Sequence, residues 1–111
     1  MNRRDPFLEN MIDRVFKILP MREQYDMGEE PFLDEYLQEL AIEANGAYDT
    51  FPELYERARY VSVTNTLQYI RRNWKKMTFP AYRRSVLKMT NCLDRLLKED
   101  ERRKEADDEL A

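Results

Sequence analysis

The sequence predicts an all-α protein: an antiparallel four-helix bundle-like domain with a charged C-terminal helical extension. Three observations carry that expectation. Apolar residues recur at three-to-four spacing through four separate stretches, the period of one face of an α-helix. Only two glycines and five prolines occur in 111 residues, while Leu, Glu, Arg and Lys are frequent, a composition suited to helix rather than sheet. Helix-starting and helix-stopping residues fall between the four stretches. With 42% hydrophobic residues and thirteen aromatics, the chain has enough apolar matter for a core although 37% of it is charged. Residues 1–97 are therefore expected to form a single helical domain, and 98–111 a charged tail that frays as helix or is disordered.

Asp5-Pro6 reads as the first helix start, with Asp as N-cap and Pro at the first helical position. Leu8, Met11, Ile12, Val15, Phe16, Ile18 and Leu19 then line one face, and Pro20 predicts an end or a kink, giving a helix over about 6–19. Residues 21–30, with Gly28 and four acids, read as a connection. Pro31 opens a second helix over about 31–45, whose apolar face is Phe32, Leu33, Tyr36, Leu37, Leu40, Ala41 and Ala44. Asn45-Gly46 supplies its stop.

Thr50-Phe51-Pro52-Glu53 has the form of a capping box and predicts a long third helix over about 51–76, carrying Leu54, Ala58, Val61, Leu67, Ile70 and Trp74 inward. Thr78-Phe79-Pro80 repeats the start, with Met77 and Tyr82 placed as a hydrophobic staple. The fourth helix, about 79–97, has Tyr82, Val86, Leu87, Met89, Leu93, Leu96 and Leu97 on one side. A second apolar stripe on the third helix, overlapping the first, includes Tyr60, Val63 and Leu67 and predicts an oligomer interface, most simply a homodimer.

Charge is segregated along the chain. Residues 1–56 sum to −9, residues 57–93 to +9 with no acid among them, and 94–111 to −3, which together give the net charge of −3. An up-down bundle brings the connection between helices one and two to the same end as the connection between three and four. That end collects Arg71, Arg72, Lys75, Lys76, Arg83, Arg84 and Lys88 beside Glu23, Asp26, Glu29 and Glu30. The seven cations are the expected anion-binding or nucleic-acid-binding residues, and Trp74, Phe79 and Tyr82, interleaved with them, are candidates to stack on unpaired bases. Neutralisation of the cations by the 23–30 acids is the competing reading.

The chain has no histidine, so the commonest general base at neutral pH, most zinc and di-iron sites, and Ser-His or Cys-His nucleophile pairs are ruled out. Gly28 and Gly46 cannot form a phosphate-binding glycine-rich loop. The single Cys92 forms no internal disulfide and sits beside an apolar stripe, where a small buried residue is expected rather than a reactive thiol. No catalytic residue, metal site or cofactor is expected.

A helix-turn-helix is disfavoured because the predicted third helix is too long and the turn lacks glycine. No apolar run approaches the ~20 residues needed to span a bilayer, and the acidic, interrupted N-terminal helix fits neither a secretory nor a mitochondrial leader, so a cytoplasmic location without membrane attachment is expected. The functional expectation is a non-enzymatic helical protein whose basic end contacts nucleic acid or an acidic protein surface, within an accessory or regulatory complex. The alternative is a protein–protein adaptor or self-assembling helical module.

Overall fold

The computed structural model describes residues 6–29 and 32–110, with all their side chains except those of 48–50, 55, 103, 104, 107, 108 and 110. Four α-helices follow one another: α1 (Pro6–Asp26), α2 (Leu33–Thr50), α3 (Ala58–Asn73) and α4 (Phe79–Leu110), with a 3₁₀ turn at Pro52–Glu56 between α2 and α3. Each helix packs on its neighbours in sequence, and α4 closes the ring against α1. Long-range hydrogen bonds give the directions. Tyr82 near the start of α4 reaches Ile18 late in α1, Tyr60 at the start of α3 reaches Ala44 late in α2, and Arg57 reaches Asp100 far along α4. Successive helices are therefore antiparallel, and the all-α bundle is as predicted.

The core is one stripe from each helix. Leu8, Met11, Val15 and Ile18 of α1 meet Leu33, Leu37, Leu40, Ala41 and Ala44 of α2, with Tyr60, Val63, Leu67 and Ile70 of α3 and Tyr82, Val86, Met89, Leu93 and Leu96 of α4. Tyr60, Val63 and Leu67 are at most 1% exposed, so they are not available as a dimer surface. The overlapping stripes on α3 are explained by its two bundle neighbours, α2 and α4, rather than by a second copy. Ala41, Ala44 and Ala47 are the small core residues of α2, and the buried Tyr60 hydroxyl donates to the Ala44 carbonyl at 2.6 Å.

Several predicted boundaries move. Pro20 neither ends α1 nor lies in the core. It and Phe16 are exposed, so water can take the carbonyl that proline leaves without a donor. The helix instead continues to Asp26 and closes at Gly28, whose φ of +79° reverses the chain. Asn45-Gly46 does not stop α2 either, because one further turn puts Ala47 into the core. The stop comes at Phe51, held out of the helical region by Pro52.

The start predicted at Thr50 moves by one residue: Thr50 is the last residue of α2, and Phe51 precedes the 3₁₀ turn. The long third helix is divided at Arg57, which is extended (φ −97°, ψ 118°) and sends its guanidinium across to α4. Ala58, Phe16 and Phe32, predicted inward, are exposed. The predicted start residues Asp5 and Pro31 lie outside the described residues.

The start of α4 is as read: Thr78 Oγ1 accepts from the Ala81 N–H at 3.3 Å, and Met77 and Tyr82 both join the core. The charged stretch after Leu97 continues α4 as helix through Leu110. The molecule is accordingly elongated, 55 × 25 × 19 Å.

Candidate functional site

The connection between α3 and α4 is held from beneath by Arg22 of α1. Its Nη1 donates to the Trp74 carbonyl at 2.6 Å and its Nη2 to the Met77 carbonyl at 2.7 Å. Trp74 is the C-cap of α3, where a cation is favoured by the helix dipole, and Met77 lies in the connection beyond it. Nε of Arg22 faces both carboxylate oxygens of Asp26, at 3.1 and 3.2 Å, and the guanidinium carbon lies 5.2 Å from the Tyr82 ring centre and 6.0 Å from that of Trp74. Arg22 is 7% exposed. Sequence reasoning missed it because an arginine after a proline reads as surface; the signal was its position four residues after Ile18, on the core stripe.

Trp74 is pinned by the same arrangement. Its indole N–H donates to Asp34 Oδ1 at 3.0 Å, and Tyr25 meets the ring edge-on at 4.7 Å. Trp74 is 2% exposed and Tyr82 0%, so neither can stack on a base, which corrects that part of the sequence reading. Both are spent on holding the hairpin: Tyr82 donates its hydroxyl to the Ile18 carbonyl at 2.6 Å. Burial pushes the Tyr82 phenol up, the Arg22 charge works against that, and Asp26 adds to it. Phe79 is half-buried.

Around this platform the seven cations face outward. Arg72, Lys75, Lys76, Arg83, Arg84 and Lys88 are exposed and Arg71 is half-buried, its Nη1 donating to Gln68 Oε1 at 3.3 Å. The Lys75 ammonium lies 5.4 Å from the Trp74 ring centre. None of the seven has a carboxylate within 4.0 Å among the described residues. Of the acids in the first connection, Asp26 is taken by Arg22, Glu23 and Glu29 are exposed, and Glu30 lies outside the described residues.

The other cations of the 57–93 stretch behave differently. Arg57 bonds Glu99 and Asp100 at 2.7 and 2.8 Å, and Arg59 bonds Glu99 at 3.1 Å. Burial disfavours the Arg57 charge, but hydrogen bonds and the charges of Glu99 and Asp100 together outweigh it and raise its pKa. Hydrogen bonds from Arg57 and Arg59 hold the Glu99 carboxyl below its ordinary range.

Three shallow depressions of about 410, 460 and 510 Å³ lie along α3 and α4. The one near the basic end is lined by Tyr69, Asn73, Lys76, Thr78, Arg84 and Ser85, among others, and another further along by Arg59, Arg84, Lys88, Asn91, Cys92 and Arg95. Tyr69, 57% exposed, is the aromatic side chain this face offers, in place of Trp74 and Tyr82. Asn65 and Asn91 are exposed, while Thr64 and Thr90 donate to carbonyls one turn back, so these mid-helix polar residues form no buried network.

In the first turn of α4 the Ala81 N–H is already taken by Thr78 Oγ1. Among the described residues no three of His, Cys, Asp and Glu converge to hold a metal ion, and no helix is long and apolar enough to cross a membrane. Comparison with protein-family models, curated proteins and solved structures found no match.

Proposed function

We propose that this is a non-enzymatic binding protein whose basic α3–α4 hairpin docks on the phosphates of nucleic acid, as an accessory or regulatory subunit. One observation carries the reading: six exposed and one half-buried cation crowd one end without a carboxylate partner among the described residues. Like charges held this close raise the free energy of the isolated protein, and a polyanion that releases its counterions on binding lowers it. With Trp74 and Tyr82 buried, recognition runs through the backbone and is largely independent of base sequence.

The test is a titration of labelled single-stranded RNA and duplex DNA across a salt series. Binding at micromolar concentration or tighter, weakening as log K falls by ~0.9 per cation engaged for each decade of salt, supports the reading. Replacing Arg83 and Arg84 with Glu should abolish binding and leave helix content unchanged. Absence of binding at low salt would overturn it.

A second reading, the protein–protein adaptor, is favoured by Phe16, Met27, Phe32 and Ile42, apolar residues 53–65% exposed on α1, α2 and their connection. It predicts association that survives high salt, seen by sedimentation, and lost when Phe16 and Ile42 are made polar.

A further inference from the structure

We propose that the phosphate-binding surface extends from the hairpin along α4 through Arg84, Lys88, Arg95, Lys98 and Arg102, and that its partner is duplex DNA. This inference rests on the nucleic-acid reading above and adds its extent and its substrate. The five cations, with Asn91 among them, are spaced 4, 3, 4, 3 and 4 residues apart. At 3.6 residues per turn they fall in a stripe roughly 80° wide, along about 27 Å of helix. All six are exposed. Lys98 pairs with Asp94 one turn back at 2.9 Å; the other four have no carboxylate within 4.0 Å among the described residues. Of the acids within this stretch, Glu99 is drawn to Arg57 and Arg59 and Asp100 to Arg57, Asp94 pairs with Lys98, and Glu101 is half-buried.

The row is rigid. Val86, Met89, Leu93, Leu96 and Leu97 anchor the opposite side of the same unbroken helix in the core. A rigid row of cations suits a partner whose phosphates are already fixed in space, because neither side must be ordered on contact. A single strand would have to be straightened along the helix. Binding of single strands draws on stacking of successive bases, for which this face offers the exposed Tyr69 but not the buried Trp74 and Tyr82. Arg84, Lys88, Asn91 and Arg95 line the shallow depression beside α3, and Lys98 and Arg102 continue the row along the exposed ridge of α4. The B-form major groove, about 12 Å wide, accepts such a ridge, whereas the narrow major groove of duplex RNA does not.

The experiment compares the intact chain with the R95Q/K98Q/R102Q variant and the R83E/R84E variant. Three probes of equal length are used: duplex DNA, duplex RNA and single-stranded DNA, each over a salt series. The first variant should bind duplex DNA on the order of 100-fold more weakly at ~0.1 M salt, with its salt slope flattened by about 2.7. Its binding of single strands should change far less.

Unchanged duplex affinity and slope in that variant would overturn the inference, and if R83E/R84E still abolished binding the hairpin reading would survive alone. Equal dependence of duplex RNA on the three residues would overturn the groove argument. If no nucleic acid bound the intact chain, both readings would fail together.

Discussion

Arg22 joins three helices through one side chain. It places two charged hydrogen bonds on carbonyls at the C-cap of α3 and in the connection after it, pairs with Asp26 on its own helix, and lies over the Tyr82 ring of α4. Hydrogen bonds from a charged donor contribute ~1.5–3 kcal/mol each, and a buried carbonyl left without its donor adds a desolvation cost. Arg22→Ala is therefore expected to destabilise the fold by about 3–5 kcal/mol, a large share of a domain's usual margin. Arg22→Lys should recover only part of this, since an ammonium lacks the planar fork that reaches both carbonyls. Urea midpoints give the stabilities, and near-ultraviolet dichroism of the single Trp74 reports whether the hairpin stays packed. A loss below 0.5 kcal/mol in the alanine variant would show that the arginine is not the clamp described.

At the scale of the element, the two glycines make opposite predictions. Gly28 ends α1 with φ +79°, a conformation a side chain resists although nothing stands within 4 Å of where its Cβ would be. Gly28→Ala should cost about 1 kcal/mol. Gly46 lies in the regular part of α2 with equally open space, so Gly46→Ala should stabilise by ~0.4–1 kcal/mol, mainly by restricting the unfolded chain. For a domain of this size 1 kcal/mol moves Tm by roughly 4–8 °C, so thermal melts should shift in opposite directions. A fall in Tm for Gly46→Ala would mean that α2 needs flexibility there.

Across the whole molecule, charge is divided between layers. α2 carries acids and no base, whereas the stretch from α3 to Lys88 carries bases and no acid. The ends of the bundle use this differently. At one end the cations stand open; at the other, Arg57 and Arg59 close on Glu99 and Asp100. That closed end makes stability depend on pH. The Glu99 pKa in the folded chain is held below its ordinary 4.5, chiefly by hydrogen bonds from Arg57 and Arg59. Its contribution is complete above about pH 4.5 and is lost as pH falls through the lower folded value. Glu99→Gln should lose stability at neutral pH and show a smaller further loss on acidification, measured as denaturant midpoints near pH 6 and pH 3.5. An acid slope equal to that of the unaltered chain would exclude Glu99 as a source of it.

Much of this architecture was legible from local chemistry. The three-to-four spacing of Leu, Ile, Val and Met gave the helices and most of the core, and Thr78 with Met77 and Tyr82 marked the start of α4 correctly. The gathering of Arg71 to Lys88 at one end followed from alternation of direction alone. What local chemistry misjudged were positions whose state depends on residues far away in the chain. Pro20 and Gly46 were read as stops because the free energy of burying the next turn was not visible. Thr50 was read as a cap and Arg57 as mid-helix because the carboxylates at Glu99 and Asp100 lie 42 and 43 residues beyond Arg57. Arg22 finds its carbonyls 52 and 55 residues away, and those contacts turned Trp74 and Tyr82 from candidate stacking groups into structural ones. Periodicity is a property of the chain and can be read from it. Whether a charge or a ring meets water or a partner depends on which surfaces remain once distant segments have packed, so it was set by the tertiary fold.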